Sequence, residues 1–143
     1  MTHTNHPQRA GASGRTSSSS SVDSVRQLLD ARPASLRFHF IAHERALEAV
    51  ALLQPALQVI RRKSRSLFGQ LDSALDNVVG NVAEGDAKSG GHQRQSFTVA
   101  LGEAREARGR LATAYLKRYV ALADITAGAD KLLEVERILS RFV

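Results

Sequence analysis

The stretch LFGQLDSALDNVVGNVAEG, residues 67–85, decides the fold. Leu67, Leu71, Ala74, Leu75, Val78 and Val82 recur at the intervals that line one side of an α-helix, and Gly85 is read as its left-handed terminator. Upstream, Phe40, Leu47, Val50, Leu53, Leu57 and Ile60 make another such stripe, predicting a helix that Pro55 bends or splits. Downstream, Asp86 to Gly91 reads as a connector. A third helix from about His92 is expected to carry Phe97, Leu101, Ala104, Leu111, Tyr115 and Leu122 on one side. Gly128 is read as the next break, and a fourth helix carries Leu132, Val135, Leu139 and Phe142. Ala, Leu, Arg and Glu dominate and β-branched alternation is absent, so the fold class is all-α. Four helices with short connections predict an up-down-up-down antiparallel four-helix bundle over residues 36–143. Residues 22–35 read as a short helical segment or linker (Val22, Val25, Leu28, Leu29) that ends at Pro33. Residues 1–21, Ser- and Gly-rich and free of Asp and Glu, read as a disordered tail.

Composition removes several function classes. The chain has 143 residues, the size of one small domain, and no cysteine, which excludes a disulfide framework, a zinc–thiolate site and a thiol nucleophile. No apolar run approaches the roughly 18–20 residues that span a bilayer, and no apolar secretory core follows Met1. The Arg- and Ser-containing, acid-free start resembles a transit peptide superficially but lacks the apolar face of an amphipathic helix. A cytoplasmic location without a membrane partner is therefore expected. Twenty Lys and Arg against fourteen Asp and Glu give a formal charge of +6, which favours polyanionic partners.

The same stretch that fixes the fold carries a resemblance. Leu67-Phe68-Gly69-Gln70-Leu71, then Ala74, then Asn81-Val82-Ala83-Glu84-Gly85 resembles the signature of a family of four-helix bundle proteins. That family includes proteins encoded within 23S ribosomal RNA intervening sequences and accessory proteins of diversity-generating retroelements. Its next feature, Ala-x-Gly-Ser-x-x-Glu, is similar to Ala100-Leu101-Gly102-Glu103-Ala104-Arg105-Glu106, followed by Leu111 and Ala114 at the family's spacing. The resemblance spans residues 36–143, with its specific motifs on the second and third helices. The chain departs from the pattern at Asp72, Ser73, Asn77 and Glu103, which argues against a nucleic-acid surface built on the second helix. What the resemblance implies is a homopentamer of bundles around a central axis and a basic surface used with nucleic acid. In the retroelement branch it also implies a reverse transcriptase partner. It implies no enzymatic activity and no cofactor.

Gln70, Asn77, Asn81 and Glu84 recur at seven, four and three and so share one side of a helix. Gln70, Asn81, Glu84, Gly85, Gly102 and Glu106 are expected to form a structural network, with Glu84 accepting from backbone N–H groups at the start of the third helix and Asn81 and Gln70 bridging helices. Glu84 and Glu106 as an acid/base pair is the rival chemistry, but no nucleophile or metal-ligand set accompanies them. His39 and His43 have the spacing of two metal ligands on one helix face, yet no third ligand motif follows, so no metal is expected. Gly85, Gly90 and Gly91 lack the strand and the Gly-Lys-Ser/Thr of a phosphate loop.

Charge is the more informative pattern. Residues 1–35 hold four Arg and two Asp, which leaves +4 on residues 36–143, or +20 over five copies. Arg61, Arg62, Lys63 and Arg65 crowd the first inter-helix turn. Arg94, Arg105, Arg108, Lys117 and Arg118 lie along the third helix, and Arg137 and Arg141 near the end. Helix-dipole complementarity is the bland account of Arg61 to Arg65, and solvated surface charge that of the rest. Contact with phosphates accounts for the whole pattern, because adjacent cations gain affinity by releasing counterions. Arg61, Arg62, Lys63, Arg65 and Arg94 are the expected phosphate contacts of a non-enzymatic protein that binds RNA or DNA backbone. No aromatic residues are interleaved to stack bases; Tyr115 and Tyr119 read as core or interface. The alternative is a scaffold that docks a larger protein without touching nucleic acid.

Overall fold

The computed structural model of the protein describes Met1 and residues 17–143. Its elements are α1 (Ser17–Asp30), a 3₁₀ turn (Ala34–Leu36), α2 (Ile41–Lys63), α3 (Arg65–Asp86), α4 (Gly90–Leu116) and α5 (Leu122–Leu139). The chain is all-helical: among the described residues there are five α-helices and no strand. Most of the stretch read as a tail lies outside the described residues; from Ser17 onward it is already part of α1.

α2 packs on α3 and α5, and α4 packs on the same two, so these four helices enclose one core. Phe97, Leu53, Leu57, Ile60, Leu71, Leu75, Leu111, Leu132 and Leu139 are its largest fully buried side chains. Alanines fill the closest approaches: Ala42, Ala46, Ala49 and Ala56 on α2, and Ala100, Ala104, Ala107 and Ala114 on α4, are all buried. Such slim faces let backbones come near enough to pack densely with few aromatic residues.

Cross-helix pairs fix the register. From the start of α2 to its middle, Phe40 meets Phe142, Arg45 meets Glu134, Glu48 meets Lys131 and Leu53 meets Gly128, so α2 and α5 run in opposite directions. Phe97 meets Phe142, and Arg105 and Arg108 meet Glu136, so α4 and α5 are also opposed. Phe40, Phe97 and Phe142 form one aromatic cluster, with centroid separations of 5.3–5.8 Å, and Gly85 lies against Phe97. That cluster gathers the start of α2, the end of α3, the start of α4 and the end of α5 at one end of the molecule.

Several sequence expectations change. α2 passes unbroken through Pro55, whose side chain is exposed while Leu53, Ala56 and Leu57 stay buried. Gly85 is not a left-handed terminator: α3 continues to Asp86, and the glycine is buried because a Cβ there would lie 2.5 Å from the Phe97 ring. The left-handed glycine is Gly90, at φ 59°. Gly128 is not a break but a buried position inside α5, under Leu53. The break comes earlier, at residues 117–121, so Leu122 opens α5 rather than continuing α4.

The segment before α2 is tied down by Glu44. Arg32 donates to both of its carboxylate oxygens, at 2.5 and 3.3 Å, and the Phe38 N–H donates to it at 2.9 Å. The Arg32 hydrogen bond holds the Glu44 carboxyl below the usual glutamate range. Beside it His43 is buried and stacks on Phe38, with ring centroids 3.8 Å apart, and burial lowers its pKa.

Candidate nucleic-acid interface

At the end of the molecule opposite the aromatic cluster, the chain reverses through a single residue. The Ser64 N–H donates to the Ile60 carbonyl at 2.7 Å, closing α2, and the Ser64 hydroxyl accepts from the Leu67 N–H at 3.2 Å, capping α3. Leu57, Ile60, Leu67 and Leu71 are buried directly beneath this turn. With the apolar positions so fixed, Arg61, Arg62, Lys63 and Arg65 have only solvent to face, and all four are exposed. The Arg61 guanidinium lies over the Phe68 ring, 5.5 Å from its centroid, which orients that arm.

The electrostatics of the turn are unbalanced. Arg61, Arg62 and Lys63 complement the negative end of the α2 dipole, but Arg65 is the first residue of α3, and no acidic residue occupies that helix's first turn. None of the four cations is paired with a carboxylate among the described residues. Carrying the α2–α5 register two turns beyond Leu53 brings Arg61 and Lys63 level with the connection between α4 and α5. Lys117 and Arg118, both exposed, therefore belong to this same end.

The other basic residues do not gather there. Arg94 is exposed near the start of α4, roughly 33 Å along that helix from its C-terminal end at 1.5 Å per residue. It shares the opposite end with Arg137 and Arg141. Arg105 and Arg108 converge on Glu136, a carboxylate only 7% exposed at its side chain. Arg108 donates to both oxygens of Glu136, and that hydrogen bonding raises its pKa. Sequence counted both arginines as available charge; the structure spends them on an α4–α5 tie.

The expected polar network does not form. Gln70, Glu84, Gly102 and Glu106 are exposed, because the core side of α3 is taken by Leu67, Leu71, Ala74, Leu75, Val78, Val82 and Gly85. The Asn81 amide donates to the Asn77 carbonyl of its own helix at 2.8 Å. Glu84 pairs with Lys88, and Glu106 with Arg110 at 3.4 Å, each one turn along its helix. The bridge from α4 back to the end of α3 is instead Gln93, whose amide donates to the carbonyls of Gly85 and Lys88 at 3.1 and 3.0 Å. Of the expected set, Gly85 alone is buried.

Glu84 and Glu106 are each held by a cation on their own helix, Lys88 and Arg110. His39 is exposed while His43 is buried against Phe38, and among the described residues no group of His, Cys, Asp and Glu is arranged to hold a metal ion. Among the described residues no helix is long and apolar enough to cross a membrane.

Sequence reading also missed the ion pairs that join α2 to α5, where Arg45 and Lys131 interleave with Glu48 and Glu134. The signal was present: opposite charges three residues apart recur on both helices. Compared with known proteins, the chain matches no protein-family model, no curated protein and no solved structure.

Proposed function

We propose that this protein binds nucleic acid through the cationic turn between α2 and α3, without catalysing a reaction on it. In this reading α2–α5 form an up-down-up-down antiparallel four-helix bundle of the family that the 67–85 stretch resembles. The partner is structured RNA or a ribonucleoprotein in the cytoplasm, and a reverse transcriptase is a candidate protein component of that particle. The observation that carries the reading is the set of four exposed cations within five consecutive residues, none of them paired with a carboxylate among the described residues. Contiguous Lys and Arg gain affinity from counterion release, and they position a phosphate backbone without reading bases. Converting Arg61, Arg62, Lys63 and Arg65 together to Glu tests it. Loss of binding to an RNA hairpin, with α-helical circular dichroism retained, supports the site; unchanged binding with an unchanged salt slope removes it.

Assembly into a homo-oligomer, a pentamer by the family resemblance, belongs to the same proposal. Five chains of 15.5 kDa give a particle of about 78 kDa by sedimentation equilibrium; a 15.5 kDa species at micromolar concentration refutes it. A second reading, a scaffold that docks a larger protein, is favoured by Leu116 and Leu122, apolar and exposed beside the basic end. It predicts partner capture that survives the fourfold charge reversal.

A further inference from the structure

The connection between α4 and α5 contains a backbone anomaly. The Arg118 N–H donates to the Tyr115 carbonyl at 2.8 Å and the Tyr119 N–H to the Ala114 carbonyl at 2.9 Å, the paired bonds of a Schellman helix ending. The residue that such an ending places in the left-handed region is usually glycine; here it is Arg118, at φ 62°. Among the described residues no other non-glycine has a positive φ. Its side chain is exposed and, like that of Lys117, has no carboxylate partner among the described residues. The charge of Arg118 suits the negative end of the α4 dipole, but its backbone conformation does not suit an arginine, and glycine would relieve the strain.

The register explains where that strained cation sits. The α4–α5 connection is level with the α2–α3 turn, so two reversals of the chain, more than fifty residues apart in sequence, present their cations at one end. Two residues of this end oppose local energetics: Arg118 in its backbone conformation, and Arg65 at the positive pole of α3. Unfavourable choices that agree on one property, positive charge on one surface, mark a surface kept for an anion rather than for folding.

We infer that Lys117 and Arg118 are further phosphate-contacting residues, completing a six-cation end that grips one run of phosphodiester backbone. The inference rests on the nucleic-acid reading of the α2–α3 turn and extends it to a second, discontinuous part of the chain. The ligand class is a phosphodiester backbone held by charge, since the end offers a string of exposed cationic donors.

The test uses full-length protein and a 30-nucleotide RNA hairpin across a salt series, with wild type, Lys117→Gln, Arg118→Gly and Arg137→Gln. Each of the first two variants is expected to weaken binding about fivefold to tenfold at 0.1 M salt and to make the slope of log K against log salt shallower by about one. Arg137→Gln, a comparable charge loss at the other end, leaves both unchanged. Arg118→Gly is also expected to melt about 3 °C higher, because the strain is relieved; Lys117→Gln leaves the backbone as it is and tests the site without that change. If both variants bind like wild type while the fourfold Glu variant of the α2–α3 turn does not, this inference falls and the underlying reading stands. If wild type fails to bind the hairpin at low salt, both fall. Wild-type binding to vesicles of anionic phospholipid in place of RNA overturns both as well.

Discussion

Gly85 and Gly128 each face a large side chain across a helix contact, and the missing Cβ sets how near the helices come. At Gly85 a methyl group would meet the Phe97 ring at 2.5 Å, and at Gly128 it would enter Leu53. Gly85→Ala and Gly128→Ala should therefore each lose about 1–3 kcal/mol in urea unfolding. Gly102 has open space where its Cβ would lie, so Gly102→Ala should instead stabilise by about 0.5–1 kcal/mol through helix propensity. Two titrating neighbours act together on pH. His43 has a lowered pKa, so its penalty begins as pH falls through the ordinary histidine value near 6.5 and grows until the lowered folded value is passed. Glu44 also has a lowered pKa, so its contribution is present above the ordinary glutamate range and is lost as pH falls through the lowered folded value. The melting temperature should thus decline in two steps on acidification. His43→Gln should flatten the upper step and Arg32→Gln the lower one, as read by thermal melts from pH 7.5 downward.

Between elements, Glu136 shows why the order of removal matters. Its carboxylate is buried, whereas Arg105 and Arg108 are 64% and 36% exposed and can return to water. Glu136→Leu should cost under about 1 kcal/mol, while Arg105→Ala with Arg108→Ala leaves a buried charge unpaired and should cost about 3 kcal/mol. Denaturant unfolding of the two variants distinguishes this from equal shares. The stripes of α2 and α3 were legible in sequence because their apolar residues recur at helical spacing: the six on α3 are buried, as are Leu53, Leu57 and Ile60 on α2, while Phe40, Leu47 and Val50 are half-buried. The α4–α5 boundary was not. Gly128 is the obvious breaker by composition, but it lies inside α5, and the real ending uses an arginine in the conformation that glycine normally takes. The candidate site was half legible for a related reason. Arg61, Arg62, Lys63 and Arg65 are adjacent in the chain and stay together, whereas Lys117 and Arg118 join them only through the antiparallel register. Arg94 looked equivalent by charge and is separated by the length of a helix. The exposed side of α3 escaped for the opposite cause: polar residues at helical spacing look alike whether they bridge helices or face water.

Across the whole molecule, charge is sorted by position more than by amount. The formal total of +6 is modest, and several cations are tied to carboxylates: Arg45 and Lys131 to Glu48 and Glu134, Arg105 and Arg108 to the single Glu136, Arg32 to Glu44. The cations of the α2–α3 and α4–α5 turns lie together at one end, where a polyanion can engage several of them, while Arg94, Arg137 and Arg141 lie at the other. Release of counterions from that many phosphates has a definite signature in solution. The decisive measurement is equilibrium binding of the wild-type protein to an RNA hairpin over a salt series. The expected result is log K falling linearly with log salt at a slope of about −4 to −5.5, the range for six phosphate contacts. A slope near zero, or no binding even at low salt, would contradict a phosphate-binding end.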